Sequence, residues 1–133
     1  MKISTKGRYA LRLMLDLAEH DQGGAIALRD VSTRQGISTK YLEQIVALLS
    51  RAGLLKSVRG AQGGYRLTRA PEEYPIGEIL RITEGDLAPV ACLEQKADAC
   101  IRAEECPTLA FWQGLQRTID AYVDGATLRD LMK

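Results

Sequence analysis

The apolar positions of this chain change their period several times, and each change marks an element. Over residues 5–20 (TKGRYALRLMLDLAEH), Leu11, Met14, Leu15 and Ala18 recur at steps of three and four, which places them on one face of a helix. Asp21-Gln22-Gly23-Gly24 then ends that helix. Residues 27–53 predict a short helix with Leu28 and Val31 inward and a turn at Gly36-Ile37. A second helix follows, capped by Ser38 and with Leu42, Ile45, Val46 and Leu49 inward. Two such helices joined through a glycine make a helix-turn-helix. After Gly53, residues 54–59 and 65–67 read as strands flanking the glycine-rich turn Gly60-Ala61-Gln62-Gly63-Gly64. A hairpin directly after a helix-turn-helix is a wing.

Pro71 to Pro75 read as a linker, and Ile76 to Glu84 as a short helix with Ile76, Ile79 and Leu80 on one side. No period holds from Gly85 to Cys106, and an irregular stretch of that length is uncommon in a compact domain unless it has a function or is disordered. Pro107 is then expected to open a last helix, in which Leu109, Trp112, Leu115, Ile119 and Tyr122 follow at helical spacing. That narrow stripe predicts a helix-helix seam between two subunits. The fold class expected is mainly α with a small β-hairpin wing: a winged helix-turn-helix with a long C-terminal dimerisation helix. Residues 1–70 would be the DNA-binding domain and residues 71–133 a cysteine-loop and dimerisation region.

Charge sharpens that division. The 133-residue chain is 46% hydrophobic and 5% aromatic, enough for one core packed by aliphatic helices, and its net charge is only +1. Residues 1–70, however, hold twelve Lys/Arg against five Asp/Glu, a net of +7, and residues 71–133 hold six against twelve, a net of −6. The basic half suits a polyanion. Within it, the first turns of the second helix of the motif reach base edges in such folds, and here they present Ser38, Thr39, Lys40, Tyr41, Glu43 and Gln44. Lys40, Thr39 and Tyr41 suit phosphates; Gln44 suits adenine and Glu43 cytosine. In the wing, Arg59 suits a narrow minor groove, and Gly60, Gly63 and Gly64 permit close backbone approach. The plainer alternatives are a helical hairpin with solvated polar residues and an ordinary tight turn.

The three cysteines, Cys92, Cys100 and Cys106, all lie in the irregular acidic stretch. The chain shows no signal peptide and no apolar run of membrane-spanning length, so a reducing cytoplasm and no membrane partner are expected. Clustered thiols there bind soft metals, chiefly zinc or iron-sulfur clusters, or sense redox state. Their spacings of seven and five intervening residues miss the two-residue gap of a zinc ribbon, which favours an iron-sulfur cluster. Polar neighbours argue against three buried small hydrophobes. Cys106 is expected at the start of the last helix, where the dipole lowers a thiol's pKa. His20, the only histidine, reads as a helix C-cap. No nucleophile-base arrangement can be assembled, so neither an enzyme nor a small-molecule substrate is expected.

MKISTKGRYALRLMLDLA, ISTKYLEQIVALLSRAGLLKSVRGAQGGYRL and the cysteine triplet followed by Pro-Thr-Leu-Ala-Phe-Trp resemble the IscR-like family of winged helix-turn-helix transcription regulators. That family includes iron-sulfur, nitric-oxide and cysteine-metabolism regulators, and the resemblance covers essentially the whole chain. It implies a homodimer with a long crossed C-terminal helix that binds an inverted-repeat operator in double-stranded DNA through residues 38–52 and 59–65. It also implies an iron-sulfur cluster, commonly [2Fe-2S], on the three cysteines, regulating cluster biogenesis or a related stress response. In cluster-binding relatives a histidine follows the last cysteine by three residues, where this chain has Leu109. Other members use a carboxylate from another helix, which points first to Glu43 and then to Glu104 and Glu105; the alternative for Glu43 is a residue facing DNA or solvent. The second reading of the whole is a cluster-free regulator of cysteine or sulfur metabolism, controlled by a protein partner or by thiol oxidation.

Overall fold

A computed structural model describes residues 2–95 and 104–133. Its order is α1 (Thr5–Glu19), α2 (Leu28–Gln35), α3 (Thr39–Arg51), β1 (Leu55–Val58), β2 (Gly64–Leu67), α4 (Ile76–Glu84), α5 (Leu109–Gly125) and α6 (Leu128–Leu131). Single 3-10 turns occupy Pro71–Glu73 and Ala91–Leu93. The mainly helical winged fold expected from the sequence is the fold observed.

Local chemistry sets the boundaries. Ser4 and Ser38 cap α1 and α3, accepting hydrogen bonds from the amides of Gly7 at 3.3 Å and Tyr41 at 3.2 Å. Gly36, at φ +67°, makes the left-handed turn between α2 and α3 that a side chain would strain. The wing pairs antiparallel, Leu55 opposite Leu67 through Val58 opposite Gly64. A third short partner, absent from the sequence reading, joins it: Ile26 and Tyr65 exchange backbone hydrogen bonds at 3.0 and 2.9 Å. That bridge requires Gly64, because a Cβ there would lie 2.1 Å from the Ile26 carbonyl oxygen.

The core gathers Leu13, Met14, Leu17, Val31, Leu42, Ile45, Leu49 and Leu54. Helix α1 is buried over a wider arc than its predicted stripe. Ala10, Leu13, Met14 and Leu17 are buried in the main core, whereas Leu11 and Leu15 are half-buried at its edge, and Leu11 also meets a second cluster of Ile76, Leu80 and Leu87. A helix packed against neighbours on two sides has no single apolar face to read.

Residues 71–75 are not a loose linker. Tyr74 is fully buried within the main core, and its hydroxyl donates to the Leu54 carbonyl at 2.8 Å while accepting from the amides of Thr68 at 2.8 Å and Arg69 at 3.0 Å. Its carbonyl accepts from Leu128 at 2.9 Å, which places α6 against it. Arg69 stacks over the ring at 5.2 Å and pairs with Glu78 at 2.7 Å. Helix α6, also absent from the sequence reading, is started by a Thr127–Asp130 capping box and buries Leu128. Removing the hydroxyl in Tyr74→Phe strands these peptide groups. The expected loss is about 2–3 kcal/mol of unfolding free energy, read as a lower denaturant midpoint at unchanged slope.

Candidate nucleic-acid interface and cysteine segment

Helix α3 divides cleanly. Leu42, Ile45, Val46 and Leu49 are buried, and Ser38, Thr39, Lys40, Glu43 and Gln44 are exposed, so the polar face predicted to meet a polyanion is turned outward. Tyr41 is half-buried because its ring meets Tyr9 of α1 edge-on, with centroids 5.6 Å apart.

The orientation of this motif against α1 depends on a polar lock. Asp16 is the one buried charged residue among the described residues. Arg34 grips it through Nε and Nη2, one edge of its guanidinium, at 3.0 and 2.7 Å, and the Gln35 side-chain amide donates to it at 2.9 Å. Arg12, lying 5.2 Å over the Tyr9 ring, donates to the Gln35 side chain at 3.2 Å and to the Gln35 carbonyl. One connected set of contacts thus runs from α3 through α1 to the end of α2. His20 caps α1 as predicted, its amide donating to the Asp16 carbonyl at 3.0 Å.

Burial alone would push the Asp16 carboxyl up, but hydrogen bonds from Arg34 and Gln35 and the Arg34 charge outweigh it and hold the group below the usual carboxylate range. A carboxyl lowered in this way stabilises the fold fully above its unfolded value, and the contribution is lost as pH falls through the folded value. Arg34 is one-third exposed, which limits the cost of losing its partner. Asp16→Asn should therefore cost about 2 kcal/mol at neutral pH. The gap between variant and native protein should close below about pH 4 in denaturant titrations.

In the wing, Arg59 and Gly60 are exposed and Gly63 and Gly64 half-buried. Gly60, at φ +115°, has open space where a Cβ would stand, whereas a Cβ on Gly63 would lie 2.2 Å from the Val58 carbonyl oxygen. Gly63 and Gly64 are thus required by the hairpin itself, and open approach remains at Gly60.

The cysteine segment hangs between α4 and α5. The Asp86 carboxylate accepts from the amides of Gln95 and Ala88, each at 2.8 Å; the Gln95 bond is the main reason its pKa is lowered. Between those anchors, Cys92 is exposed on the 3-10 turn. Cys100 lies outside the described residues. Cys106 is half-buried with its Sγ 3.5 Å from the Thr108 hydroxyl. Contrary to expectation, Pro107 does not open the last helix: α5 starts at Leu109, after a turn in which the Leu109 amide meets the Cys106 carbonyl at 3.5 Å. A residue preceding proline is kept out of helical geometry, so Cys106 sits upstream of the first helical turn and feels its dipole less. Two of the three predicted thiol ligands are thus placed in the segment and Glu43 on the outer face of α3, while no three His, Cys, Asp or Glu side chains among the described residues group as a metal site. The donor chemistry, thiolates on a polar segment, still fits a soft metal.

At the root of this segment, Glu84 accepts from the Ser4 amide at 3.0 Å and from its hydroxyl at 2.6 Å. Arg81 holds α5 to α4 through Asp124 at 2.6 Å and Asp120 at 2.9 Å. The predicted seam of α5 splits into two faces. Ile119, with Val123 and Ala126, packs on the α4 cluster of its own chain, while Phe111, Leu115 and Tyr122 are 66%, 37% and 78% exposed.

The sequence reading missed Asp16, Arg34, Ile26 and Tyr74. Only Tyr74 carried a signal: an aromatic within a Pro-Glu-Glu-Tyr-Pro turn has no reason to be there unless it is buried.

The Rrf2 family profile, described as iron-dependent transcriptional regulators, matches residues 3–133. The transcriptional regulator IscR of Aliivibrio salmonicida is 41% identical over 99% of this chain and 77% of its own. The solved structure of CymR, the global cysteine regulator of B. subtilis, superposes with a TM-score of 0.80 at 37% identity, covering 98% of this chain and 95% of that one. T. potens IscR superposes at 0.76 with 41% identity, covering 98% and 85%.

Proposed function

The chain belongs to the Rrf2 family of DNA-binding transcription regulators, which are not enzymes, and from that premise we propose that its operator binding is controlled by an iron-sulfur cluster. The observation that carries the DNA part is the outward polar face of α3 together with an exposed wing arginine. Lys40, with Ser38, Thr39 and Tyr41, positions the helix on phosphates; Glu43 and Gln44 read bases; Arg59 and Gly60, with Gly63 and Gly64 shaping the hairpin, enter the adjacent groove. The DNA-binding part is residues 1–70, and residues 71–133 carry the cluster and the dimer contact. Cys92, Cys100 and Cys106 are the thiolate ligands, Glu43 is the proposed fourth, and [2Fe-2S] is the proposed cluster. When bound, the group supplies a redox- and oxygen-sensitive centre.

Two copies assemble through the exposed Phe111, Leu115 and Tyr122, spaced to share one side of α5, and read an inverted repeat. A cytoplasmic location accords with the absence, among the described residues, of any helix long and apolar enough to cross a membrane. A second reading, a cluster-free regulator of cysteine or sulfur metabolism governed by a partner protein or by thiol oxidation, is favoured by the likeness to CymR and by the exposure of Cys92.

Anaerobic purification followed by visible spectra and iron and sulfide counts separates the two readings. Charge-transfer bands that vanish in each of Cys92→Ala, Cys100→Ala and Cys106→Ala support the cluster. A colourless protein with full DNA affinity supports the second reading. Glu43→Ala should speed cluster loss in air and change operator preference together; an unaltered cluster lifetime removes Glu43 from the ligand set.

Lys40→Ala and Arg59→Ala should each lower the slope of log affinity against log salt by about one, whereas Gln44→Ala should change preference among operators more than total affinity. Leu115→Asp should yield monomers in sedimentation. Ile119 is the wrong probe for that purpose, since it supports its own chain.

A further inference from the structure

The wing contains a pairing that works against its own stability. Lys56 stands directly across from Arg66, between the Leu55–Leu67 and Ser57–Tyr65 pairs. Successive side chains of a strand alternate between faces. Tyr65 and Leu67 pack on the main core, which fixes their face as the inner one and leaves exposed Lys56 and half-buried Arg66 together on the outer one, with exposed Val58. Like charges opposed across two strands repel and destabilise a hairpin.

No carboxylate among the described residues relieves this. Among the described residues neither Lys56 nor Arg66 forms an ion pair, and residues 54–67 contain no Asp or Glu at all. Acids are plentiful elsewhere, and three arginines that build the fold are matched with them, Arg34 with Asp16, Arg69 with Glu78, and Arg81 with Asp120 and Asp124, while Arg12 is held by Gln35 instead. The contrast is sharpest between Arg66, which has no carboxylate partner among the described residues, and Arg69, three residues on, gripped by one. Arg59 at the wing's turn likewise has no ion-pair partner among the described residues, so this short hairpin concentrates three uncompensated cations.

We propose that the outer face of the wing, Lys56 together with Arg66, is a second phosphate-binding element that grips the sugar-phosphate backbone of duplex DNA beside the groove entered by Arg59. An anionic phosphate between the two side chains turns their repulsion into shared attraction, so the hairpin becomes more stable on DNA than off it. Contacts of this kind carry no base information, so the element raises affinity for operator and non-operator duplex alike. The inference rests on the reading of the wing as a DNA contact, and the test separates the two.

Binding of the full chain to a mixed-sequence DNA duplex is measured across a range of salt concentrations for the native protein, Lys56→Gln, Arg66→Gln, the double variant, Lys56→Glu and Arg59→Ala, with thermal unfolding of each. Each glutamine should lower the salt slope by about one and weaken binding about fivefold at roughly 0.15 M salt, and the double variant should lower the slope by about two. Lys56→Glu, which creates an ion pair with Arg66, should raise the unfolding midpoint while weakening DNA binding further. Opposite signs in the two readouts exclude misfolding as the cause. A native salt slope in the double variant, with a lowered slope in Arg59→Ala, overturns the phosphate element and leaves the wing as a DNA contact. Native slopes in all the variants overturn both.

Discussion

The hydroxyl of Tyr74 is the constraint around which the two ends of this molecule are organised. It satisfies the last carbonyl before β1 and the first two amides beyond β2, so the hairpin is closed at its base by a side chain from the following segment. A two-stranded hairpin is marginal alone; this one is held at its root by Tyr74 and along its inner side by the Ile26 bridge. The same residue seats α6 through its carbonyl and Arg69 through its ring. Wing, linker and C-terminal helix therefore share one fixed point, and the direction in which Arg59 projects is set from the interior.

A second constraint acts at the other end of the recognition motif. The buried Asp16 carboxylate is tolerable only because Arg34 and Gln35 satisfy it, and those residues end α2, immediately before the turn into α3. Apolar packing fixes which face of α3 meets the core, and the directed hydrogen bonds at the end of α2 add a constraint on the turn that launches it. The Tyr9–Tyr41 contact adds a brace at the first turn of α3 itself.

How much of this was legible in the sequence follows from what each signal depends on. The period of Leu42, Ile45, Val46 and Leu49, the serine cap at Ser38 and the glycine at Gly36 are local, and α3 and its turn were readable from them. The wing was readable from its glycines, although Gly63 and Gly64 prove to answer to neighbouring carbonyls. What was not legible is what joins residues far apart in sequence. Asp16 and Arg34 look like ordinary surface charges on two separate helices, and Ile26 is a single residue too short to show alternation. The stripe on α5 predicts one seam because periodicity reports which positions are apolar and not which neighbour covers them; Ile119 turns to its own chain and Tyr122 does not. The placing of the cysteine ligands depends on a segment with no period at all, of which residues 96–103 lie outside the described residues.

The bond between Glu84 and Ser4 spans eighty residues of sequence and joins the two halves of the chain at one carboxylate. The Ser4 that caps the helix carrying Asp16 and Tyr9 is held from the place where the cysteine segment departs, and the same carboxylate oxygen lies over Gly7, 2.2 Å from where a Cβ would stand. A displacement of Glu84 would break both of its bonds to Ser4, the residue that caps α1. The N-terminal turn is in this sense the strain gauge of the molecule: the amides of Ser4, bonded to Glu84, and Gly7, bonded to the Ser4 hydroxyl, should record, in their exchange with solvent, what happens at the root of the cysteine segment.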